Sequence, residues 1–533
     1  MANWTEDAKL ILASRYLSKD KKGELIESPD DLLVRVASFI AKAESPRQRG
    51  YWQDKFFTIM DDLVFLPNSP TLMNSGRELG NLSACYLIEV EDDLSAILEA
   101  VKRAALIHKS GGGTGIVFSK LRPKDSIVGT TLGIASGPTS FMRIFNVATE
   151  VIKQGGVRRG ANLGTLLVSH PDIFEFITSK DEIGSFENFN ISVALTDSFI
   201  KALKSGRSFP LVFRNKIYKQ VDPEVLFKEL CMSAHKTGDP GALFIDTANK
   251  ANPMPQFGSY MGTNPCGEQF LQTWSSCNLG SIDVSKLVGK DDFEWDKMSE
   301  VVNTSVRFLD DVISVNVFPN AKIKRKTLAL RPIGLGVMGW ADALLRLDVR
   351  YDSDEALNLA DKLMKFVNER AHEQSREIGK ERGHCDRKLK RRNSTCTCIA
   401  PTGTLSLLAN CSSSIEPIFD KKSTKVVLNG NKVDISSKYS DSKSFVTARD
   451  VPPEKHILMQ ASFQKYVDNA VSKTVNMAEE TSVEEIGRIF LRAWELGCKG
   501  VTVFREGCRK GVIESTLDDV IITPDCPNGK CDL

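Results

Sequence analysis

The stretch DDLSAILEAVKRAALIHKSGGGTGIVF, residues 92–118, carries the pattern that decides the fold class. Its two aspartates precede apolar residues at helical spacing, starting with Leu94, and acidic side chains favour the positive N-terminal end of a helix. The helical pattern stops at Gly111–Gly113, and a β-like run, Gly115–Phe118, follows at once. A helix that leads directly into a short apolar strand is typical of α/β proteins.

The same alternation extends along most of the chain. β-like runs such as Ile191–Leu195 and Val501–Phe504 alternate with helix-like stretches such as Met298–Ile313 and Asp354–Glu377, which predicts α/β architecture. The first part of the chain shows helical spacing alone. The last part shows no periodicity, and we expect it to form a mobile tail.

The composition excludes several classes of protein. The 533 residues have a formal net charge of +2, a balance that provides no overall field for nucleic acid or for an anionic membrane. The sequence begins MANWTED, without the basic and apolar segments of a signal peptide, and no apolar run reaches the roughly 18 residues that span a bilayer. We therefore expect a cytoplasmic protein whose twelve cysteines are reduced.

A G-x-G-x-x-G pattern runs from Gly334 to Gly339, with Asp352 placed where a ribose-binding acid would be. A dinucleotide-binding fingerprint closes a strand, whereas Arg331 and Pro332 stand immediately upstream here. We favour tight packing or a barrel turn, and we keep a nicotinamide-dependent oxidoreductase as a distant alternative.

Two further stretches could bind phosphate. Lys109–Gly115 is rich in glycine, and Pro401–Ser406 combines small hydroxyl residues with a glycine. Consecutive backbone N–H groups in such turns can cradle an anion. A helix C-cap or a plain turn explains each stretch equally well. The basic runs Lys322–Lys326 and Arg387–Arg392 are predicted to be solvated faces.

The cysteines offer one unusual constellation. Cys266 is flanked at two residues on either side by Asn264 and Glu268, and Cys277 follows eleven residues later. On an extended segment, residues two apart share a face, so amide, thiol and carboxylate could all point at one substrate. A buried cysteine in a turn is the alternative. The spacing of Cys396 and Cys398 does not fit a zinc knuckle, so we predict core cysteines there and no metal site.

Two more thiols, Cys526 and Cys531, lie in the predicted tail. Two close thiols that can move are suited to disulfide exchange. Incidental exposed cysteines or a weak metal clip are the alternatives.

Taken together, these stretches resemble the ribonucleotide reductases along nearly the whole chain. The matching segments are Phe65–Asn74, Leu82–Cys85, Gly111–Gly115, Ser136–Pro138, Gln154–Asn162, Asn264–Gln269, Ser276–Gly280, Arg331–Asp342, Ala400–Ser406 and Lys499–Val503. So many specific matches in order make coincidence implausible.

The resemblance implies roles for the central residues. Cys266 would become a thiyl radical and take the 3′-hydrogen of the ribose, while Glu268 would act as base on the 3′-hydroxyl and Asn264 would hold the sugar oxygens. Cys85 and Cys277 would supply two electrons and end as a disulfide.

The resemblance also implies how the enzyme would be reset and what it would bind. Cys526 and Cys531 would reduce the disulfide and be recycled by a thioredoxin-like or glutaredoxin-like partner. Residues implied to contact the substrate are Ser69, Thr71, Ala84, Thr402, Gly403, Thr404, Leu405 and Ser406. Asp92, Lys109 and Arg122 match positions that contact a dNTP or ATP specificity effector, and Gln154, Arg158 and Arg159 belong to the implied specificity loop.

The implied fold is a ten-stranded α/β barrel with Cys266 on a central finger loop. Residues 1–62 would form a helical N-terminal region, 63–510 the catalytic barrel and 511–533 a flexible tail. A homodimer with effector sites at its interface is expected. The chain starts directly on helical sequence, so we expect no N-terminal ATP-cone domain and no general inhibition by dATP.

Three kinds of radical initiator exist in this family. The end of the chain lacks a glycyl-radical motif of the R-x-x-G-Y kind, and no adjacent tyrosine pair is present to relay a radical from a second subunit. Cys498–Arg505 and Asp468–Asn476 resemble the adenosylcobalamin-dependent class, so that cofactor is predicted, with ribonucleoside diphosphates as substrates. The alternatives are the catalytic subunit of a two-subunit, metal-dependent reductase and a non-catalytic relative. The latter should have lost a core thiol, yet all three are present.

Overall fold

The computed structural model describes residues 2–129, 132–152, 160–182, 184–426 and 432–508. The predictions made for Gln154, Arg158 and Arg159, and for the tail thiols Cys526 and Cys531, lie outside these ranges.

The helices occur throughout the described chain. They are α1 (Glu6–Arg15), α2 (Pro29–Ile40), α3 (Arg49–Asp61), α4 (Ser69–Asn74), α5 (Leu94–Lys109), α6 (Pro138–Val151), α7 (Ile173–Ile177), α8 (Asp197–Ser205), α9 (Pro223–Thr237), α10 (Ile245–Lys250), α11 (Trp295–Val315), α12 (Ala321–Leu330), α13 (Trp340–Arg346), α14 (Asp354–Arg382), α15 (Gly403–Ala409), α16 (Pro453–Gln464) and α17 (Val483–Glu495).

The strands begin only after the first three helices. They are β1 (Phe65–Pro67), β2 (Cys85–Glu89), β3 (Gly113–Val117), β4 (Asn162–Leu167), β5 (Phe189–Leu195), β6 (Phe209–Phe213), β7 (Lys216–Val221), β8 (Gly241–Phe244), β9 (Ser275–Asp283), β10 (Ile333–Met338), β11 (Lys422–Val426), β12 (Lys432–Ser436), β13 (Thr474–Met477) and β14 (Gly500–Arg505).

Helices α1–α3 form the helical lead-in that the sequence predicts. Helix α2 starts in a capping box, in which Ser28 and Asp31 bond each other's backbone N–H groups. Its apolar face, which includes Leu32, Leu33 and Val36, is fully buried. Burial of this face holds the helix against the rest of the molecule.

Within the described residues, the main sheet contains ten strands in two parallel sets. Strands β2, β3, β4, β5 and β8 are parallel neighbours, and β9 with β10, like β13 with β14, are also parallel. The sets meet antiparallel where β2 pairs with β9 and where β8 pairs with β14, and β1 adds to β9. The helix–strand alternation read from residues 92–118 is thus α5 followed by β3.

The segment 395–399 connects the two ends of this sheet. On one side it bridges to β10, through Leu335 and Thr397. On the other side Ile399 bridges to Val471, just before β13. These hydrogen bonds link the second parallel set from β9 to β14, which is the connectivity that a barrel requires.

No helix among the described residues is both long enough and apolar enough to cross a membrane.

Candidate active site

A hairpin-like loop between α10 and β9 presents Cys266 at its tip. Thr263 pairs with Phe270 at its base, and the Asn264 N–H donates to the Gln269 carbonyl oxygen at 3.1 Å. Asn264 and Glu268 are almost fully buried, whereas Cys266 is half-buried. This loop is the finger loop that the resemblance implies.

The base of the finger loop is held by a segment far away in the chain. The side-chain oxygen of Asn469 accepts the Phe270 N–H at 2.6 Å, and its amide nitrogen donates to Gln269 Oε1 at 2.8 Å. The Ala470 N–H donates to the Glu268 carbonyl oxygen at 3.0 Å. Asn469 therefore fixes the residues next to Glu268, a role that the sequence did not reveal.

A buried lysine supports this segment in turn. Lys499 Nζ donates to the carbonyl oxygens of Asp468 and Asn469, at 2.7 and 2.6 Å. Burial lowers the pKa of Lys499 to about 8. Asn469 and Lys499 lie in the two stretches that resemble the adenosylcobalamin class. Both stretches therefore help to hold the base of the finger loop.

Glycines in the barrel wall make room for the finger loop. A Cβ atom added at Gly115 would lie 1.7 Å from the Thr263 carbonyl oxygen, and one at Gly113 would lie 2.9 Å from Pro265 Cγ. Gly113 and Gly115 lie in β3, after α5 ends at Lys109. The Lys109–Gly115 stretch is therefore a helix end followed by a strand that the finger loop approaches closely.

The second glycine pattern has the same explanation. Gly334 and Gly336 lie inside β10, not in a turn that follows a strand. A Cβ atom at Gly334 would lie 2.4 Å from Gln269 Nε2, and one at Gly336 would lie 2.3 Å from the Cys398 carbonyl oxygen. These glycines allow close packing, which is the interpretation that the sequence analysis favoured. They do not support the hypothesis of a dinucleotide-binding site.

The structure brings the predicted reductant thiols together. Cys85 and Cys277 are directly opposed partners on the antiparallel strands β2 and β9. Opposed residues have Cα atoms roughly 4.5–5.5 Å apart, within the range that a disulfide spans. Both thiols are free here. The pair can therefore close into a disulfide with little movement of the backbone.

Cys85 also contacts two residues of the finger loop. Asn264 Nδ2 donates to Cys85 Sγ at 3.1 Å, and the thiol faces Glu268 Oε1 at 3.8 Å. Burial, and then the Glu268 carboxylate, raise the pKa of Cys85 well above its usual value. Burial likewise raises the pKa of Cys277. Both therefore carry their protons at neutral pH, as donors of hydrogen should.

A fourth thiol lies close to this group. Cys398 is fully buried, as the sequence predicted, but its sulfur lies beside Gln269 at the base of the finger loop. After burial, Cys398 is the largest cause of the raised pKa of Cys277.

The predicted phosphate turn is a strained turn that opens α15. Thr402 has a left-handed backbone, with φ of 55°, and its Oγ1 accepts the Ser414 N–H at 2.7 Å. The residues of this turn, from Thr402 to Ser406, are buried. Ser406 Oγ lies 2.8 Å from Ser413 Oγ.

The N-terminal helices reach this turn, which the sequence did not indicate. Arg15 Nη1 donates to Thr404 Oγ1 at 3.1 Å, and the Tyr16 hydroxyl lies 2.8 Å from Ser69 Oγ. Of the other predicted substrate residues, Thr71 is buried within α4 and its Oγ1 donates to the Leu82 carbonyl oxygen at 3.1 Å, and the Ala84 N–H donates to the Cys277 carbonyl oxygen. The residues that make these contacts are far apart in the chain, so local sequence patterns could not predict them.

Two of the three predicted effector residues, Asp92 and Arg122, lie close together. Arg122 Nε pairs with Asp92 at 2.9 Å, and Arg214 pairs with the same carboxylate at 2.9 Å. Lys109 ends the 16-residue helix α5, roughly 24 Å from the Asp92 end at 1.5 Å per residue. Within one chain, Lys109 and Asp92 therefore lie far apart.

Among the residues that the structure describes, one group has donor atoms close enough to suit a metal ion. His372, Cys396 and Asp468 each place a donor atom within 4.8 Å of the others. However, the Asp468 carboxylate already accepts bonds from His372 Nε2 at 2.7 Å and from the Cys396 N–H at 2.7 Å. Arg391 lies 3.8 Å from it. These contacts, which outweigh burial, lower the pKa of Asp468 to about 2 and identify a structural ion-pair network.

Comparison with known proteins defines the class. The family model "Ribonucleotide reductase, barrel domain" matches residues 83–389 and 387–504, and the model "Ribonucleotide reductase, all-alpha domain" matches residues 5–80. The chain belongs to the ribonucleotide reductase family. The predicted fold class, a helical region followed by a barrel domain, is confirmed.

Individual relatives narrow the class further. The chain is 40% identical to a vitamin B12-dependent ribonucleoside-diphosphate reductase of Thermoplasma acidophilum, over 99% of this chain and 85% of the relative. It is 39% identical to a protein of the same name from Mycobacterium tuberculosis H37Rv, over 95% and 78%. A ribonucleoside-diphosphate reductase subunit alpha of Chlamydia pneumoniae is 26% identical, over 95% and 59%. The predicted resemblance to the cobalamin-dependent class is confirmed, and the two-subunit alternative is not favoured.

Proposed function

We propose that this chain reduces ribonucleoside diphosphates to 2′-deoxyribonucleotides by thiyl-radical chemistry that depends on adenosylcobalamin. One observation carries the proposal: the finger loop brings Cys266, Asn264 and Glu268 to the opposed thiols Cys85 and Cys277. This set combines a radical site, a base and a two-electron reductant.

Cys266 begins the reaction on the substrate. Its thiyl radical takes the 3′-hydrogen of the ribose, which leaves a carbon radical at that position. Glu268 takes the proton of the 3′-hydroxyl, and Asn264 holds the sugar oxygens. A buried carboxylate suits this task because little water competes for the proton.

Cys85 and Cys277 complete the reduction. The 2′-hydroxyl leaves as water with a proton from one thiol, and the 2′ carbon takes the hydrogen atom of the other thiol. As the two sulfurs join in a disulfide they pass the remaining electron to the 3′-keto group, and Glu268 returns its proton to the 3′ oxygen. Cys266 then returns its hydrogen to the 3′ carbon. Substrate and dithiol thus become deoxyribonucleotide, water and disulfide, and every atom and electron is accounted for.

The tip of the finger loop is only partly buried. Gly267, next to Cys266, has φ of 82°, and a Cβ atom built on it would meet nothing within 4 Å among the described residues. When bound, adenosylcobalamin supplies the one-electron oxidation that makes Cys266 a radical. Cys266 is the residue that would face the cofactor, which fits the half-buried position of this thiol.

The disulfide must be reduced after each turnover. We assign this to Cys526 and Cys531, recycled by a thioredoxin-like or glutaredoxin-like protein. The need for a steady supply of thiols supports a cytoplasmic location. We also propose the division of the chain at residues 62 and 510 into helical region, barrel and tail.

A homodimer is supported by an exposed apolar surface. Helices α5 and α6 pack side by side, and Leu94, Leu98, Val147 and Val151 on them are between 50% and 75% exposed. Apolar surface of this kind marks a contact with another chain. If α5 packed antiparallel to α5 of a second copy, the Lys109 end of one chain would lie near the other chain's effector residues, Asp92 and Arg122. The specificity loop with Gln154, Arg158 and Arg159 follows α6.

The Cys266→Ser variant tests the proposed chemistry. We expect deoxyribonucleotide formation to fall below detection, because serine does not form the required radical, while binding of the substrate diphosphate stays within about two-fold. Product is measured by chromatography and binding by calorimetry. Cys231→Ser, at a thiol outside the proposed site, is the control and should keep its activity. An active Cys266→Ser enzyme would show that the mechanism is wrong.

A further inference from the structure

The last turn of α1 lies against the proposed phosphate turn. Arg15 Nη1 donates to Thr404 Oγ1, across 389 positions of sequence. The next residue, Tyr16, is fully buried and its hydroxyl contacts Ser69 Oγ. The N-terminal helical region therefore touches two residues of the proposed substrate site.

Within the described residues, the turn itself combines a strained backbone with an unpaired buried hydroxyl group. The Ser414 N–H holds Thr402 in its left-handed conformation, which costs free energy for a threonine. Ser414 Oγ is fully buried and makes no hydrogen bond within the described part of the chain. A strained backbone beside an unused buried hydroxyl is typical of a site completed by a bound group.

The chemistry of Arg15 matches that of a phosphate. A guanidinium offers several N–H donors in a planar fork and keeps its charge at every physiological pH. A threonine hydroxyl, its partner in this structure, is a neutral acceptor and a weaker one than a phosphate oxygen.

We propose that Arg15 binds the terminal phosphate of the ribonucleoside diphosphate, at the turn formed by Thr402–Ser406. The inference rests on the proposed function, and it assigns part of substrate affinity to the N-terminal helical region. Arg15 acts on binding of the diphosphate and takes no part in the chemistry at the ribose.

Arg15→Gln and Arg15→Lys test this assignment, with Lys9→Gln as the control, because Lys9 lies on the same helix and pairs with the exposed Glu6. The measurements are kcat and KM for a ribonucleoside diphosphate with adenosylcobalamin and a small dithiol, and the Kd of inorganic pyrophosphate by calorimetry. We expect Arg15→Gln to raise KM and the pyrophosphate Kd about 10- to 100-fold, with kcat within about three-fold. Arg15→Lys should recover part of the loss, and Lys9→Gln should match the wild type.

The possible results distinguish a failure of the Arg15 assignment from a failure of the proposed function. An unchanged KM and pyrophosphate Kd in Arg15→Gln would overturn the assignment. A lower kcat and a lower melting temperature at constant KM would also overturn it, because they would show that Arg15 only stabilises the fold. If Arg15→Gln does not fold, an unchanged KM in Arg15→Lys overturns it. A wild-type chain that binds pyrophosphate through Arg15 but forms no deoxyribonucleotide would refute the proposed function and leave this assignment standing.

Discussion

At the scale of single residues, burial decides which groups carry protons. Cys85 and Cys277 keep theirs because no water stabilises a thiolate at their positions. The sequence predicted these thiols and Cys266 as candidates, since short motifs surround each of them, and the structure places Cys85 opposite Cys277. It could not show Asn469, because that residue contacts Phe270 across 199 positions.

The same principle gives a pH dependence of stability through His456. Burial, and then the nearby Lys473, hold the pKa of His456 well below its usual value. Lys473 Nζ lies 3.1 Å from His456 Nδ1 and also pairs with Glu416. The unfolded chain takes up a proton near pH 6.5 and the folded chain does not, so stability present at higher pH is lost as the pH falls below about 6.5.

The His456→Gln variant tests this dependence. Between pH 7.5 and 5.5, we expect the wild type to lose more free energy of unfolding than the variant, by at most about 1.4 kcal/mol per pH unit. Urea denaturation at each pH measures it, with the exposed His384→Gln as control. Parallel pH profiles for wild type and His456→Gln would contradict the expectation.

At the scale of elements, the finger loop depends on missing side chains in the barrel wall. The glycines of β3 and β10 looked like ligand-binding patterns in the sequence, where a glycine that binds phosphate and one that admits a neighbouring loop are identical. Only the tertiary contact between Gly115 and Thr263 distinguishes them. The helix–strand alternation, in contrast, was readable because it depends on local periodicity.

Gly115→Ala should therefore displace the finger loop, although Gly115 is not itself a proposed catalytic residue. The added methyl group would overlap the Thr263 backbone, so the finger loop must shift. We expect a loss of about 1–3 kcal/mol of stability, measured by denaturation, and a fall in kcat of at least ten-fold. Gly50→Ala, where a Cβ atom meets open space in α3, is the matched control and should leave activity unchanged. Full activity in Gly115→Ala would show that the loop tolerates displacement.

At the scale of the whole molecule, a buried ion cluster joins the N-terminal region to the barrel. Arg307 of α11 pairs with Glu44 at 2.6 Å and with Glu381 of α14 at 2.8 Å. Burial alone would raise the pKa of Glu44, but the hydrogen bonds from Arg307 and Asp311 outweigh it and lower the pKa. The sequence could not show this connection, because Glu44 and Arg307 are 263 positions apart in the chain.

Removal of Arg307 should loosen that connection. Arg307→Ala removes one of two arginines that pair with the buried Glu44, since Arg382 also pairs with it, so we expect a loss of about 1–3 kcal/mol in the free energy of unfolding. The exposed pair of Lys204 and Glu495 provides the control, and Lys204→Ala should cost about 1 kcal/mol or less. Similar melting temperatures for both variants would contradict a structural role for the cluster.

The central claim is that this chain reduces ribonucleotides with adenosylcobalamin as the source of the radical. The most direct measurement incubates the purified full chain with a ribonucleoside diphosphate and a small dithiol, with and without adenosylcobalamin, and quantifies the deoxyribonucleotide by mass spectrometry. The account predicts product only when adenosylcobalamin is added, without added iron or manganese. No product with the cofactor, or product only with a metal-bearing partner subunit, would contradict it.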